Sequence, residues 1–178
     1  MGQPCRTVHE LAETLCVSVE ELQDTARDMS RYIWCRPEMV KGKERILCTS
    51  RGPLRDIHDR IQKVILGRVP RPDWVHGYVR GRSARSGAEP HVGWRYVLAL
   101  DIKDCFPSIK RKHVVRAWKE IGWCAKAAAL LTSLTAWHGS LPQGFPTSDS
   151  LSTLALAPLM RRLKRFSEAN GFKCTVVR

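Results

Sequence analysis

Asp101 is the residue whose neighbours best equip it for chemistry. It follows the apolar run Tyr96-Val97-Leu98-Ala99-Leu100, and Phe106 stands five positions further on. An apolar run bounded by polar residues suits a strand buried on both faces. A carboxylate at the end of such a strand sits where sheet proteins bind ligands, and its hard oxygens suit Mg²⁺. Read alone, Asp101 could equally begin a turn. A second segment, Leu141-Pro142-Gln143-Gly144-Phe145-Pro146-Thr147-Ser148, lies about forty residues on. Its glycine permits close backbone approach to whatever lies beside it.

Two further groups are cationic. Arg45 can offer a bidentate fork to phosphate oxygens, and Lys43 a point charge. Taken alone, the pair reads as a solvated hairpin tip. The stretch His76-Gly77-Tyr78-Val79-Arg80-Gly81-Arg82-Ser83, with Arg85, Gly87, Ala88 and His91 beyond, interleaves arginine with glycine and tyrosine. That mixture suits phosphate and backbone contacts to nucleic acid, and a flexible basic loop is the plainer alternative. No cysteine or carboxylate spacing makes metal ligands of His76 and His91.

Composition agrees with a polyanionic partner. Lys and Arg total 30 against 17 Asp and Glu, a net charge of +13. Nucleic acid is the first candidate, ahead of an anionic membrane surface, because no amphipathic basic helix stands out. The 178 residues allow one sizeable domain or two small ones. The seven cysteines are odd in number and form no Cys-x-x-Cys pair. This argues against a zinc knuckle or a disulfide framework and predicts reduced thiols. No run approaches the roughly 18 apolar residues of a membrane span, and no signal core opens the chain. The expected setting is cytoplasmic, away from membranes.

The elements that must position these groups follow from periodicity. Residues 7 to 30 read as two short helices, with Val8, Leu11, Ala12 and Leu15 on one face and a capping box at Ser18-Val19-Glu20-Glu21. The second helix is acidic and is expected to carry Leu22 and Ala26 inward, so it reads as a packing element rather than a DNA reader. Residues 31 to 49 form a strand pair turning around Lys41-Gly42-Lys43. Residues 53 to 68 form an amphipathic helix opened by Pro53. Helices are expected over 111 to 120 and from Ala125 to Trp137. A long helix capped by Thr147 or Ser148 runs to about Ala169, buries Leu151, Leu154, Ala155, Leu159 and Leu163, and kinks at Pro158. Residues 172 to 177 are β-rich and are expected to pair with the 97–102 strand.

Taken together, the Asp-x-x-x-x-Phe block and the Leu-Pro-Gln-Gly block resemble motifs A and B of reverse transcriptases of the retron and group II intron type. The Gly-Lys-x-Arg-Ile pattern at Gly42–Ile46 resembles the fingers hairpin of that family, and the His76–His91 stretch resembles a retron-type segment. The resemblance implies an α+β fold: right-hand polymerase fingers plus a partial palm, with the thumb absent. It divides the chain into a helical lead-in (1–30), fingers (31–95) and a partial palm carrying motifs A and B (96–178).

The resemblance also implies roles. Asp101 matches the catalytic carboxylate that binds two Mg²⁺ ions, with Ile102 adding a backbone ligand. Lys43, Arg45, Lys103, Phe106, Gln143 and Gly144 would contact the incoming deoxynucleotide, Gly144 by close backbone approach to the base pair. Phe106 would leave no room for a 2′-hydroxyl. Arg80, Arg82, Ser83, Arg85, Phe145 and Pro146 would contact RNA template or DNA primer. Phe145 either stacks or simply packs. The implied activity is RNA-directed DNA polymerisation, used in settings such as retron synthesis, intron mobility and antiviral defence. Cys105, Asp149, Thr153 and Met160 depart from the usual pattern without removing a metal ligand.

The family's Tyr-x-Asp-Asp carboxylates have no counterpart before Arg178, so the chain alone is expected to be inactive. A truncated product, a split enzyme completed in trans by a C-terminal half, and a non-catalytic basic RNA-binding derivative all fit.

Overall fold

The computed structural model describes residues 5–40 and 42–177. Lys41, expected in the hairpin turn, and Arg178 lie outside them. The chain packs as two units. One takes the chain up to Val69 together with Asp104–Ala155; the other takes Pro70–Lys103 together with the chain from Leu156.

The first unit is largely helical. Helix α1 spans Val8–Leu15 and α2 spans Val19–Arg27. Thr7 forms a full capping box with Glu10, whose carboxyl is held below its usual range by the Thr7 backbone N–H. Ser18 caps α2 by accepting from the Glu21 N–H at 3.0 Å. Leu11, Ala12, Leu15 and Leu22 are buried as expected, whereas Thr25 rather than Ala26 completes the inner face of α2.

Strands β1 (Ile33–Val40) and β2 (Lys43–Ser50) pair antiparallel, from Ile33 opposite Ser50 to Val40 opposite Lys43. This register sets Cys35 opposite Cys48, and the two form a disulfide. The reduced-thiol expectation is corrected here. Spacing along the chain carries no sign of a cross-strand pair, because only the hairpin register brings the two thiols together.

Helix α3 covers Gly52–Arg60 and continues as a wider π-type turn, Ile61–Ile65, and a 3₁₀ turn, Leu66–Arg68. It buries Leu54, Ile57, His58, Ile61, Ile65 and Leu66. The short α5 (Cys105–Ser108) leads into α6 (Arg111–Glu120) and α7 (Ala125–Thr135). Trp118, Trp123, Leu131 and Leu134 complete this core. The long helix α8 runs Ser148–Ala169 with Pro158 inside it. Its first half buries Leu151 and Ala155 in the first unit.

In the second unit α4 spans Ala84–Ala88. The expected pairing of 97–102 with 172–177 is not formed. Residues 96–102 adopt no strand, and Tyr96, Val97, Leu98 and Leu100 are 63–81% exposed. The C-terminal segment pairs elsewhere: Val176 bridges Val75 in parallel, with His76 N–H donating to Val176 O at 2.7 Å and Val176 N–H to Trp74 O at 2.9 Å. An apolar strand needs cover on both faces, and no described residue covers this one. Leu159 and Leu163, expected inside, are also exposed, as is Phe166.

The chain is therefore α+β, with one two-stranded sheet among the described residues.

Candidate nucleic-acid interface

The Leu-Pro-Gln-Gly loop is held by the edge of β2. The Cys48 N–H donates to the Gln143 carbonyl at 2.7 Å, and Leu47 bridges Gln143 in parallel. Gly144 follows at φ +102°, and a Cβ there would stand 2.7 Å from the Cys48 carbonyl oxygen. Both the backbone angle and the close approach require glycine. Ser148 closes the loop by donating to the Pro142 carbonyl at 2.6 Å. Gln143 is half-exposed at the top of this arrangement, and Pro146 is half-buried.

Beneath the loop lies His58, fully buried. Its ring meets Phe145 at 4.7 Å between centroids. Nε2 lies 2.6 Å from the Leu134 carbonyl, which can only accept, so Nε2 carries the proton. Nδ1 therefore accepts from the Ser50 hydroxyl at 3.0 Å. Burial pushes this histidine down to about 4, outweighing the Leu134 bond that favours the charged form. One neutral imidazole thus ties the end of β2, α3, α7 and the loop together. Phe145, 3% exposed, packs in this core rather than presenting a stacking face. The Thr147 hydroxyl is buried without a hydrogen-bond partner among the described residues, so the side-chain cap expected there is not made.

Lys43 and Arg45 are exposed on β2. By register, Arg45 lies opposite Glu38, whose carboxylate already pairs with Arg36 at 3.1 Å. The same face carries Trp34, with the guanidinium of Arg51 5.1 Å and that of Arg36 5.4 Å from its ring centroid. Sequence reasoning missed this basic aromatic cluster. The Trp34-x-Arg36 alternation on a strand was the signal that could have found it.

In the second unit the basic stretch is ordered around the C-terminal segment. Arg82 donates to the carbonyls of Pro72 and Val75, the latter at 2.6 Å, and closes the loop between them. Ser83 caps α4 in a reciprocal pair with Ser86. His76 Nδ1 lies 2.9 Å from Ser86 Oγ, and His91 Nε2 lies 2.8 Å from Thr175 Oγ. Thr175 in turn donates to the Gly87 carbonyl at 2.9 Å. Both histidines are thus hydrogen-bonded to hydroxyls. Arg80 is exposed, as is Arg85, which pairs at 3.7 Å with Glu89.

Asp101 is exposed, and its Oδ1 accepts from the Ile102 N–H at 2.9 Å. Asp101, Ile102 and Lys103 belong to the second unit, whereas Phe106, Gln143 and Gly144 belong to the first. Phe106 is half-buried. Among the described residues no group of three His, Cys, Asp or Glu side chains could hold a metal ion. Asp101 therefore does not by itself fit a two-ion site.

The retron Mx65 reverse transcriptase of Myxococcus xanthus is 30% identical over 193 residues, covering 96% of this chain and 45% of that protein. The chain is homologous to retron reverse transcriptases. The retron Ec86 reverse transcriptase of Escherichia coli is 26% identical over 96% of this chain and 55% of its own length. The retron Se72 reverse transcriptase of Salmonella heidelberg is 29% identical over 86% of this chain and 41% of its own length. No family model matches. This retron reverse transcriptase homologue spans about half the length of the curated relatives it matches. Among its described residues no helix is long and apolar enough to cross a membrane.

Proposed function

We propose that this chain supplies the fingers and the opening part of the palm of an RNA-directed DNA polymerase of retron type. The observation that carries the reading is the seating of Gln143 and Gly144 on β2, which ties the template-positioning loop to the hairpin bearing Lys43 and Arg45. A guanidinium and an ammonium on that hairpin would meet the nucleotide's triphosphate. Gln143 would align template and nucleotide by hydrogen bonding, and Phe106 would exclude a 2′-hydroxyl. Arg80 and Arg85 would follow template or primer phosphates.

Mg²⁺ would activate the primer hydroxyl and stabilise pyrophosphate when bound. Asp101 is this chain's proposed carboxylate ligand and Ile102 its backbone ligand, with further carboxylates coming from elsewhere. Exposed Tyr96, Val97, Leu98, Leu100, Leu159, Leu163 and Phe166 support cover by further polymerase, in cis or in trans.

Primer extension on an RNA template with Mg²⁺ and deoxynucleotides, using the chain joined to its natural downstream region, tests the reading. Incorporation that disappears with Asp101→Asn is expected. An unchanged rate in that variant, or no incorporation at all, would sink it.

A further inference from the structure

The second unit contains a groove that the motif reading does not use. It is a cavity of about 390 Å³ lined by Trp74, Arg161, Lys164 and Arg165. The three cations stand at i, i+3 and i+4 on α8, so one helix face carries them all. All three are charged groups at the surface: Arg161 and Arg165 are exposed, and Lys164, half-buried, pairs with Glu168 at 3.1 Å. The groove's aromatic lining is the Trp74 indole, half-buried and set by its own backbone: Asp73 Oδ1 accepts from the Trp74 N–H at 2.8 Å, and Trp74 O accepts from the Val176 N–H. The aromatic wall is thus anchored, and the three cations line the same groove.

We propose that this groove binds a segment of single-stranded nucleic acid, one base stacking on Trp74 while Arg161 and Arg165 hold the adjoining phosphates. Two guanidiniums match phosphate oxygens in fork geometry, and the ring offers every base a π-face. A volume of this size is ample for one nucleotide unit. An acidic peptide would satisfy the cations but leave the indole unused. The site is distinct from the Arg80–Arg85 stretch and from β2. It rests on the polymerase reading only in expecting an RNA strand as the natural occupant.

Anisotropy of a labelled eight-nucleotide single-stranded RNA, titrated with the full chain over a salt series, tests the proposal. Arg161→Gln with Arg165→Gln is expected to weaken binding at least tenfold. It should also reduce the log–log salt slope by roughly 1.4, the share of two phosphate contacts. Trp74→Leu is expected to weaken binding roughly fivefold or more, and Trp74→Phe less. Crosslinking of a 4-thiouridine strand to the unaltered chain needs no variant, and adducts are expected on peptides containing Trp74 or residues 161–165.

Unchanged affinity in the α8 double variant, or crosslinks confined elsewhere, overturns the groove. Loss of binding in Arg80→Gln alone would leave the polymerase reading standing while removing this site. Equal competition by polyglutamate with no effect of Trp74→Leu assigns the groove to an acidic protein instead. Equal affinity for a free mononucleotide overturns the strand.

Discussion

Gly144 lies so close to Cys48 that an added Cβ would stand 2.7 Å from the Cys48 carbonyl oxygen, while the Cys48 N–H holds Gln143 one residue earlier at 2.7 Å. The loop and the strand are therefore one packed object. Gly144→Ala is expected to lose about 1–3 kcal/mol from backbone strain alone, before the clash is counted. Urea denaturation reads this as a lowered midpoint, and an unchanged midpoint would mean the loop is not seated on β2.

Cys48 also carries the disulfide to Cys35, across a sequence separation of 13. Closing a loop of this size stabilises by up to about 3 kcal/mol on chain-entropy grounds. Adding reductant should lower the melting temperature of the chain, and Cys35→Ser should abolish that response. Two free thiols at these positions in non-reduced mass mapping would refute the pairing.

His58 makes stability depend on pH. It is neutral when folded, with its value pushed down to about 4, against 6.5 for an ordinary histidine. The unfolded chain binds the proton first, so this contribution is intact above about pH 6.5 and is lost as pH falls toward 4. The size is about 3 kcal/mol, since each pKa step is worth roughly 1.4 kcal/mol. Denaturation midpoints at pH 7, 6 and 5 should fall in the wild type and fall less in His58→Gln. Parallel slopes in the two proteins would show that His58 is not buried as described.

Thr175 links His91 to the Gly87 carbonyl, and Gly87 is where a Cβ would collide with Val177. Thr175→Val should remove both hydrogen bonds and cost about 1–3 kcal/mol of local stability. Gly87→Ala should loosen the same segment. Hydrogen exchange at the His76 and Val176 amides, which pair with Val176 O and Trp74 O, should quicken in both variants. Protection equal to wild type would contradict the clasp.

Short-range chemistry was legible in the chain. The lead-in helices, the amphipathic helix opened by Pro53 and the hairpin all formed near their expected bounds, because caps, periodicity and turn residues act over a few positions. The glycine of the Leu-Pro-Gln-Gly block was readable as a point of close approach, expected toward a base pair, whereas the structure sets the Cys48 carbonyl against it. The apolar run before Asp101 was read as a buried strand because its composition asks for cover. Whether cover arrives depends on a partner that composition cannot name.

Sequence alone thus determined the basic charge, the motif order and the local elements, since each is set by residue type or near neighbours. Only tertiary structure decided the Cys35–Cys48 pairing, the burial of His58 under Phe145 and the docking of Val176 beside Val75. Each joins atoms that lie 13 to 101 residues apart. Such contacts depend on which surfaces meet once the chain has folded, a long-range outcome that no local pattern encodes.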